Sequence, residues 1–306
     1  MNQAFSKIWI IVIVVVIAAG GILAWQYFGV PKETEDSTKI GAFPEGIKLC
    51  SNAEYNTKFV EGYIELTDES QKRLKERLNK QGDYALKGIS DLTCLTYLDL
   101  SLTVSDISSL ENLINLKGLD LSNTMISNIS PISNLVNLEG LDLSDTFVSN
   151  VSPLSNLTNL KKLNLSLTDI SDLSPLSNLM NLEKLDLTRT EVTDISPLHN
   201  LTNLKILYLG SNKISDISVL GNLTNLEQLR LENLKISDIS TLGNLTNLKK
   251  LDLRYTNIFD ISSLTNLINL EKLYLGDTKV SEADIENLKI KLPNTIIYSN
   301  YAPLGQ

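Results

Sequence analysis

The chain has 306 residues, a formal net charge of −9, and 56 leucines against 15 glycines and 8 prolines. That composition excludes a disordered or collagen-like chain and a glycine-rich phosphate binder, and its acidic balance repels polyanions, so no nucleic acid partner is expected. Two cysteines are too few for a disulfide-dense miniprotein or a cysteine-rich zinc site, and His199 is the one histidine. Acid–base or nucleophilic catalysis built on histidine therefore lacks its parts; no enzyme, cofactor or metal is expected.

After a short flank, 1–7, the run Ile8–Trp25 carries 18 residues without a charged side chain. At 1.5 Å per residue it covers about 27 Å, close to the thickness of a hydrocarbon core. Trp25 and Tyr27 follow where an interfacial aromatic belt would sit. Residues 8–30 thus read as a single-pass transmembrane anchor. The rival reading is a cleaved secretory signal, with Lys7 as its basic region and Ala18-Ala19-Gly20 as a processing site. The brief N-terminal flank favours export of the bulk of the chain, to the periplasm or cell surface, although the basic residues around the span are nearly balanced. Residues 31–47 are polar and poorly periodic, and read as a linker.

Residues 48–94 read as a cap. Thr67-Asp-Glu-Ser-Gln opens a short helix after the strand-like Tyr63-Ile-Glu-Leu66. Beyond it the chain repeats. Leu138-Glu-Gly-Leu141-Asp-Leu143 recurs as Leu160-Lys-Lys-Leu163-Asn-Leu165 and Leu182-Glu-Lys-Leu185-Asp-Leu187, a step of 22 residues. Nine units run over 95–280, the unit from Leu95 being one residue shorter. Within each, alternating leucines have the period of a half-buried strand. Residues such as Ile170, Leu173, Leu176 and Leu179 then recur every third position, as tight 3₁₀-like turns require. Residues 281–298 read as a closing cap, a helix begun by Ser281 and a strand over Thr295-Ile-Ile-Tyr298, followed by a tail, 299–306.

Three motifs are by-products of the repeat. Asn156, Asn200, Asn222 and Asn244 match the glycosylation sequon, but their side chains are expected to be engaged in the turns. Asp172, Asp194, Asp216, Asp238 and Asp260 form a column that supplies too few oxygens for calcium and should accept turn amides instead. His199 falls in a solvated turn.

The pattern LxxLxLxxTxIxDISPLxNLxN, nearly complete over Leu182–Asn203, resembles the leucine-rich repeat family, and specifically its 22-residue bacterial, internalin-like class. The resemblance implies an α/β solenoid, with a concave parallel β-sheet and a convex side of 3₁₀ turns, capped at both ends. Leu234 departs from the pattern, standing where other units have Thr or Asn. Cys94 lies at the end of the N-terminal cap, and Cys50 and Cys94 either staple it or remain free thiols.

Function then rests on the concave face. Its middle column reads Asp99, Asp120, Asp142, Asn164, Asp186, Tyr208, Arg230, Asp252, Tyr274. Tyr208, Arg230, Glu232, Arg254 and Tyr274 are the expected contacts to a protein partner or a surface glycan, with Tyr255 beside them, because Tyr and Arg dominate binding hot spots. The alternatives are a structural envelope spacer with no specific ligand and, last, a carboxylate-based hydrolase.

Overall fold

The computed structural model describes residues 57–60, 63–81, 86, 89–90, 92–101 and 104–300. All belong to the unit Lys48–Gln306; the unit Met1–Ile47, with the expected membrane segment 8–30 and linker 31–47, lies outside them. Among the described residues no helix is long and apolar enough to cross a membrane.

The repeat folds as its periodicity requires. Nine three-residue strands, β3 (Tyr97–Asp99) to β11 (Lys272–Tyr274), pair in parallel, each with its sequence neighbour. The register steps by 22 residues except at the first pair, where Tyr97 faces Gly118. The central leucine of every strand points inward and is nearly inaccessible, from Leu98 to Leu273. The residues on either side of it face out, forming the exposed columns. Each strand from β3 to β10 leads into a 3₁₀ segment, such as Ser174–Leu176, whose first serine amide bonds to an Asp or Asn two residues before it, and the segment lengthens to five residues from Ser196–Asn200 onward. The apolar residues at every third position, for example Ile170, Leu173, Leu176 and Leu179, lie at no more than 3% exposure, so one core runs through all repeats.

Irregular backbone of this kind must find hydrogen bonds outside a regular ladder, and the repeated polar residues supply them. Asn115 and its equivalents, one per repeat to Asn269, each donate from Nδ2 to a carbonyl of the preceding repeat at 2.7–2.9 Å. Asp172, Asp194, Asp216, Asp238 and Asp260 accept the serine amide two residues on, each at 2.8–2.9 Å. The expectation of turn-amide acceptance therefore holds for this column. The expectation for the sequons does not. The inter-repeat bonds come from the second asparagine of each pair, such as Asn159 and Asn203, while Asn156, Asn200, Asn222 and Asn244 are exposed.

A third column is buried. Thr124, Thr146, Thr168, Thr190 and Thr256 donate to the carbonyl three residues back. Asn212 does more, donating to Leu187 and Leu209 carbonyls and accepting from the amide and hydroxyl of Thr190. Leu234, 2% exposed, takes the same position with no polar group to offer.

Both ends are covered. In the N-terminal cap β1 (Thr57–Val60) and β2 (Tyr63–Leu66) form an antiparallel pair, and α1 (Asp68–Gln81) starts at Thr67, whose hydroxyl accepts the Ser70 amide. Gln71 on α1 donates to the Asp99 carbonyl at 2.6 Å, meeting an edge-strand acceptor. Cys94 is disulfide-bonded, and Cys50, the other cysteine of the chain, lies outside the described residues. At the far end α2 (Glu282–Lys291) is capped by Ser281 and buries Ile285 and Leu288 over the last repeat. The chain then adds β12 (Ile296–Tyr298) in parallel beside β11, making a ten-stranded sheet.

Candidate functional site

Register places Tyr208, Arg230, Asp252, Tyr274 and Tyr298 side by side on β8 to β12. They form a ladder. The Arg230 guanidinium stacks 4.3 Å from the Tyr208 ring centroid, and Arg254 lies 5.5 Å from that of Tyr274. Tyr274 in turn stacks on Tyr298 at 4.7 Å with 7° between ring planes. Such contacts fix the rings and the guanidinium planes before any partner arrives.

Arg254 is also held through Asp252, its Nε and Nη2 donating to the carboxylate at 2.9 and 2.5 Å. Asp252 is 6% exposed, so this bidentate pair satisfies a buried charge. Between the stacked pairs lies a shallow cavity of about 270 Å³, lined by Tyr208, Arg230, Lys250, Asp252, Lys272 and Tyr274 among others.

Glu232 sits beside this cavity in the adjoining column. Its carboxylate leans over Gly210, where a Cβ would come within 2.3 Å of Oε1. Oε2 is buried and has no hydrogen-bond partner. Burial, joined by the charge of Asp252, pushes the Glu232 carboxyl above its ordinary range, against the pull of its own amide and of Arg230 and Arg254.

The five expected contacts, Tyr208, Arg230, Glu232, Arg254 and Tyr274, thus share one region. Tyr255 does not join them. It occupies a left-handed turn position, φ 58°, beyond the end of its strand. Sequence reasoning missed Tyr298, which lies 24 rather than 22 residues after Tyr274 because α2 interrupts the step. Lys250 and Lys272 were also missed, although both occupy the column one residue pair away from the middle one.

The N-terminal half of the face is built differently. Asp99, Asp120 and Asp142 each accept both the amide and the hydroxyl of the serine two residues on, at 2.6–2.9 Å. These carboxylates are turn acceptors spaced one per strand. Burial raises the pKa of Asp120, helped by Asp142 and Asp99 and opposed by the Ser122 bonds. Among the described residues no group of histidine, cysteine or carboxylate side chains is placed to hold a metal ion. Along the edge preceding the strands, Lys161 pairs with Glu139, Lys205 with Glu183 and Lys249 with Glu227, at 2.7–2.8 Å. Half-exposed pairs of this kind add little stability, but they neutralise that edge.

The family described as leucine rich repeats in two copies matches residues 114–156, 136–178, 158–200, 181–222 and 202–244. Among solved structures, internalin C2 of Listeria monocytogenes is 39% identical, over 63% of this chain and 83% of that one, with a TM-score of 0.59. A second internalin of the same organism is 29% identical over 76% and 82%, with a TM-score of 0.62. A leucine-rich repeat protein of Leptospira interrogans is 27% identical over 69% and 56%, with a TM-score of 0.66. Comparison with curated proteins finds no match.

Proposed function

Because the chain belongs to the leucine-rich repeat family, whose members typically mediate protein binding, we propose that it is a recognition protein that holds a protein partner on the C-terminal half of its concave face. The observation that carries the reading is the preorganised ladder of Tyr208, Arg230, Arg254 and Tyr274 around one cavity, with Tyr298 stacked behind Tyr274. Solvent-facing aromatic and guanidinium groups held in fixed planes lose little entropy on binding and bury large areas. In the same reading the apolar run 8–25 tethers the protein to a membrane, with the repeats on the extracytoplasmic side.

A photocrosslinking residue at Gln228, inside the cavity, tests the face in cells that make the protein. It should give a discrete protein adduct that is lost in the Tyr208→Ala/Arg230→Ala/Tyr274→Ala variant. Adducts from position 199 on the convex side, with none from 228, would refute the assignment. Adducts carrying glycan without protein would transfer the site to a surface glycan. For the tether, alkaline carbonate should leave the protein in the membrane pellet; a soluble product beginning near Gly20 would refute it.

A further inference from the structure

The cavity on the concave face is charged against the rest of the molecule. Its lining carries four cations, Arg230, Lys250, Arg254 and Lys272, and one carboxylate, Asp252, in a chain whose net charge is −9. Asp252 is spent on Arg254. Arg230, Lys250 and Lys272 have no ion pair among the described residues, unlike Lys161, Lys205 and Lys249 on the neutralised edge. Three cations without an ion pair lie on consecutive strands within roughly 10 Å, given strand spacing near 4.8 Å. Arg230 rests its guanidinium carbon 4.3 Å over the Tyr208 ring, which holds the cation beside the cavity.

Beside these donors stands an acceptor without a donor, the buried Oε2 of Glu232. Leaving such an atom unmet is costly; it is closed off over Gly210, so the cost falls away when the side chain turns out toward the cavity and meets a ligand N–H or O–H. The site therefore asks for anionic oxygens and a hydrogen-bond donor together. A sulfated glycan or a nucleic acid, charged at every unit, would set anions against Glu232 and the Asp column beyond it. An acidic peptide alternates carboxylates with backbone N–H groups and meets both demands.

Resting on the assignment of this face as the binding site, we propose that the cavity takes an acidic peptide segment of the partner. Its carboxylates sit among Arg230, Lys250 and Lys272, and an N–H donates to Glu232.

Panning the full chain with a random-sequence dodecapeptide phage library tests this without knowledge of the natural partner. The selected peptides should be rich in Asp and Glu and should fail to bind the Tyr208→Ala/Arg230→Ala/Tyr274→Ala variant. Lys250→Gln with Lys272→Gln should weaken them by about tenfold or more, most at low salt. Glu232→Ala separates donor recognition from charge. Removing a like charge would tighten an acidic peptide by electrostatics alone, whereas loss of the acceptor should weaken it. Tightening would therefore overturn the donor contact. Peptides without acidic enrichment that still need the Tyr and Arg residues, or a heparin oligosaccharide that binds as tightly as the best peptide, would overturn the acidic-peptide class and leave the face as the site. Peptides indifferent to the triple variant, or recovery of none, would overturn both.

Discussion

Asn212 tests whether the buried polar column is structural glue that leucine cannot replace. Its amide makes four hydrogen bonds at 2.7–2.8 Å, joining two repeats, at 6% exposure. Leucine has nearly its shape, and Leu234 already occupies the equivalent place one repeat on, so Asn212→Leu should fit without a cavity. The Leu187 carbonyl would keep the Thr190 hydroxyl as donor, whereas the Thr190 amide and the Leu209 carbonyl would lose the partners they have. Two buried groups left unmet cost about 1–3 kcal/mol each, so Asn212→Leu should destabilise by about 2–6 kcal/mol. Asn212→Thr can rebuild the bond to Leu209, as Thr168 does to Leu165, and should cost about half as much. Urea unfolding followed by circular dichroism gives the totals. Hydrogen exchange at 187–209 should show whether the loss is local, since repeat arrays open unit by unit. A value for Asn212→Leu within about 0.5 kcal/mol of the parent would refute the reasoning.

Leu167 holds a left-handed conformation, φ 59°, where other repeats have Asn123, Asp145 and Asn233; Leu167→Asn should stabilise by about 1 kcal/mol, measured as a raised urea midpoint. Hydrogen bonds from the following serines hold the Asp172, Asp216, Asp238 and Asp260 carboxyls below their ordinary 3.8, so their contribution is present above that value and disappears as pH falls through the lower native pKa values. Replacing all four by Asn, the residue already present at Asn128 and Asn150, should shift acid unfolding to lower pH; a midpoint shifted upward would contradict the linkage. A Cys50–Cys94 disulfide would close the N-terminal cap, and Cys94→Ser should then cost about 2–4 kcal/mol; two freely alkylated thiols in the folded protein would disprove the bridge.

The scaffold was legible because each of its devices recurs. A leucine two residues from the next, an asparagine before each strand from β4 to β11 and an Asp-x-Ser or Asn-x-Ser turn repeat in register, so many weak local signals add into one. The site was legible in part. Tyr and Arg on an exposed strand column announced themselves by type, and their neighbours on adjacent strands followed from the step of 22. Contacts that break the step did not. Tyr298 joins after a helix, and Glu232 becomes an orphaned acceptor only because its side chain turns back over Gly210. The partnering of charges was equally hidden, because Lys249 and Lys250 are adjacent in sequence yet one is paired and the other is not.

What separates the two halves of the concave face is a local stabilising device that the C-terminal half keeps only at Asp252, which accepts the Arg254 amide, and gives up at Tyr208 and Arg230. At Asp99, Asp120, Asp142 and Asn164 the middle-column oxygen accepts both the amide and the hydroxyl of the serine two residues later. Tyr208 and Arg230 cannot accept in this way, and Gly210 and Glu232 follow them in place of serine. Breaking a rule that the rest of the array obeys is expected where function competes with stability. Arg230→Asp with Glu232→Ser would restore the clamp and remove an unmet carboxylate oxygen, without placing a Cβ over Gly210. Two recovered hydrogen bonds give about 1–3 kcal/mol. The double variant should therefore melt later than the parent while losing the peptides or partner that the parent binds. A variant that melts earlier would show that Arg230 and Glu232 serve the fold, and the case for a binding site in this half would lose its energetic basis.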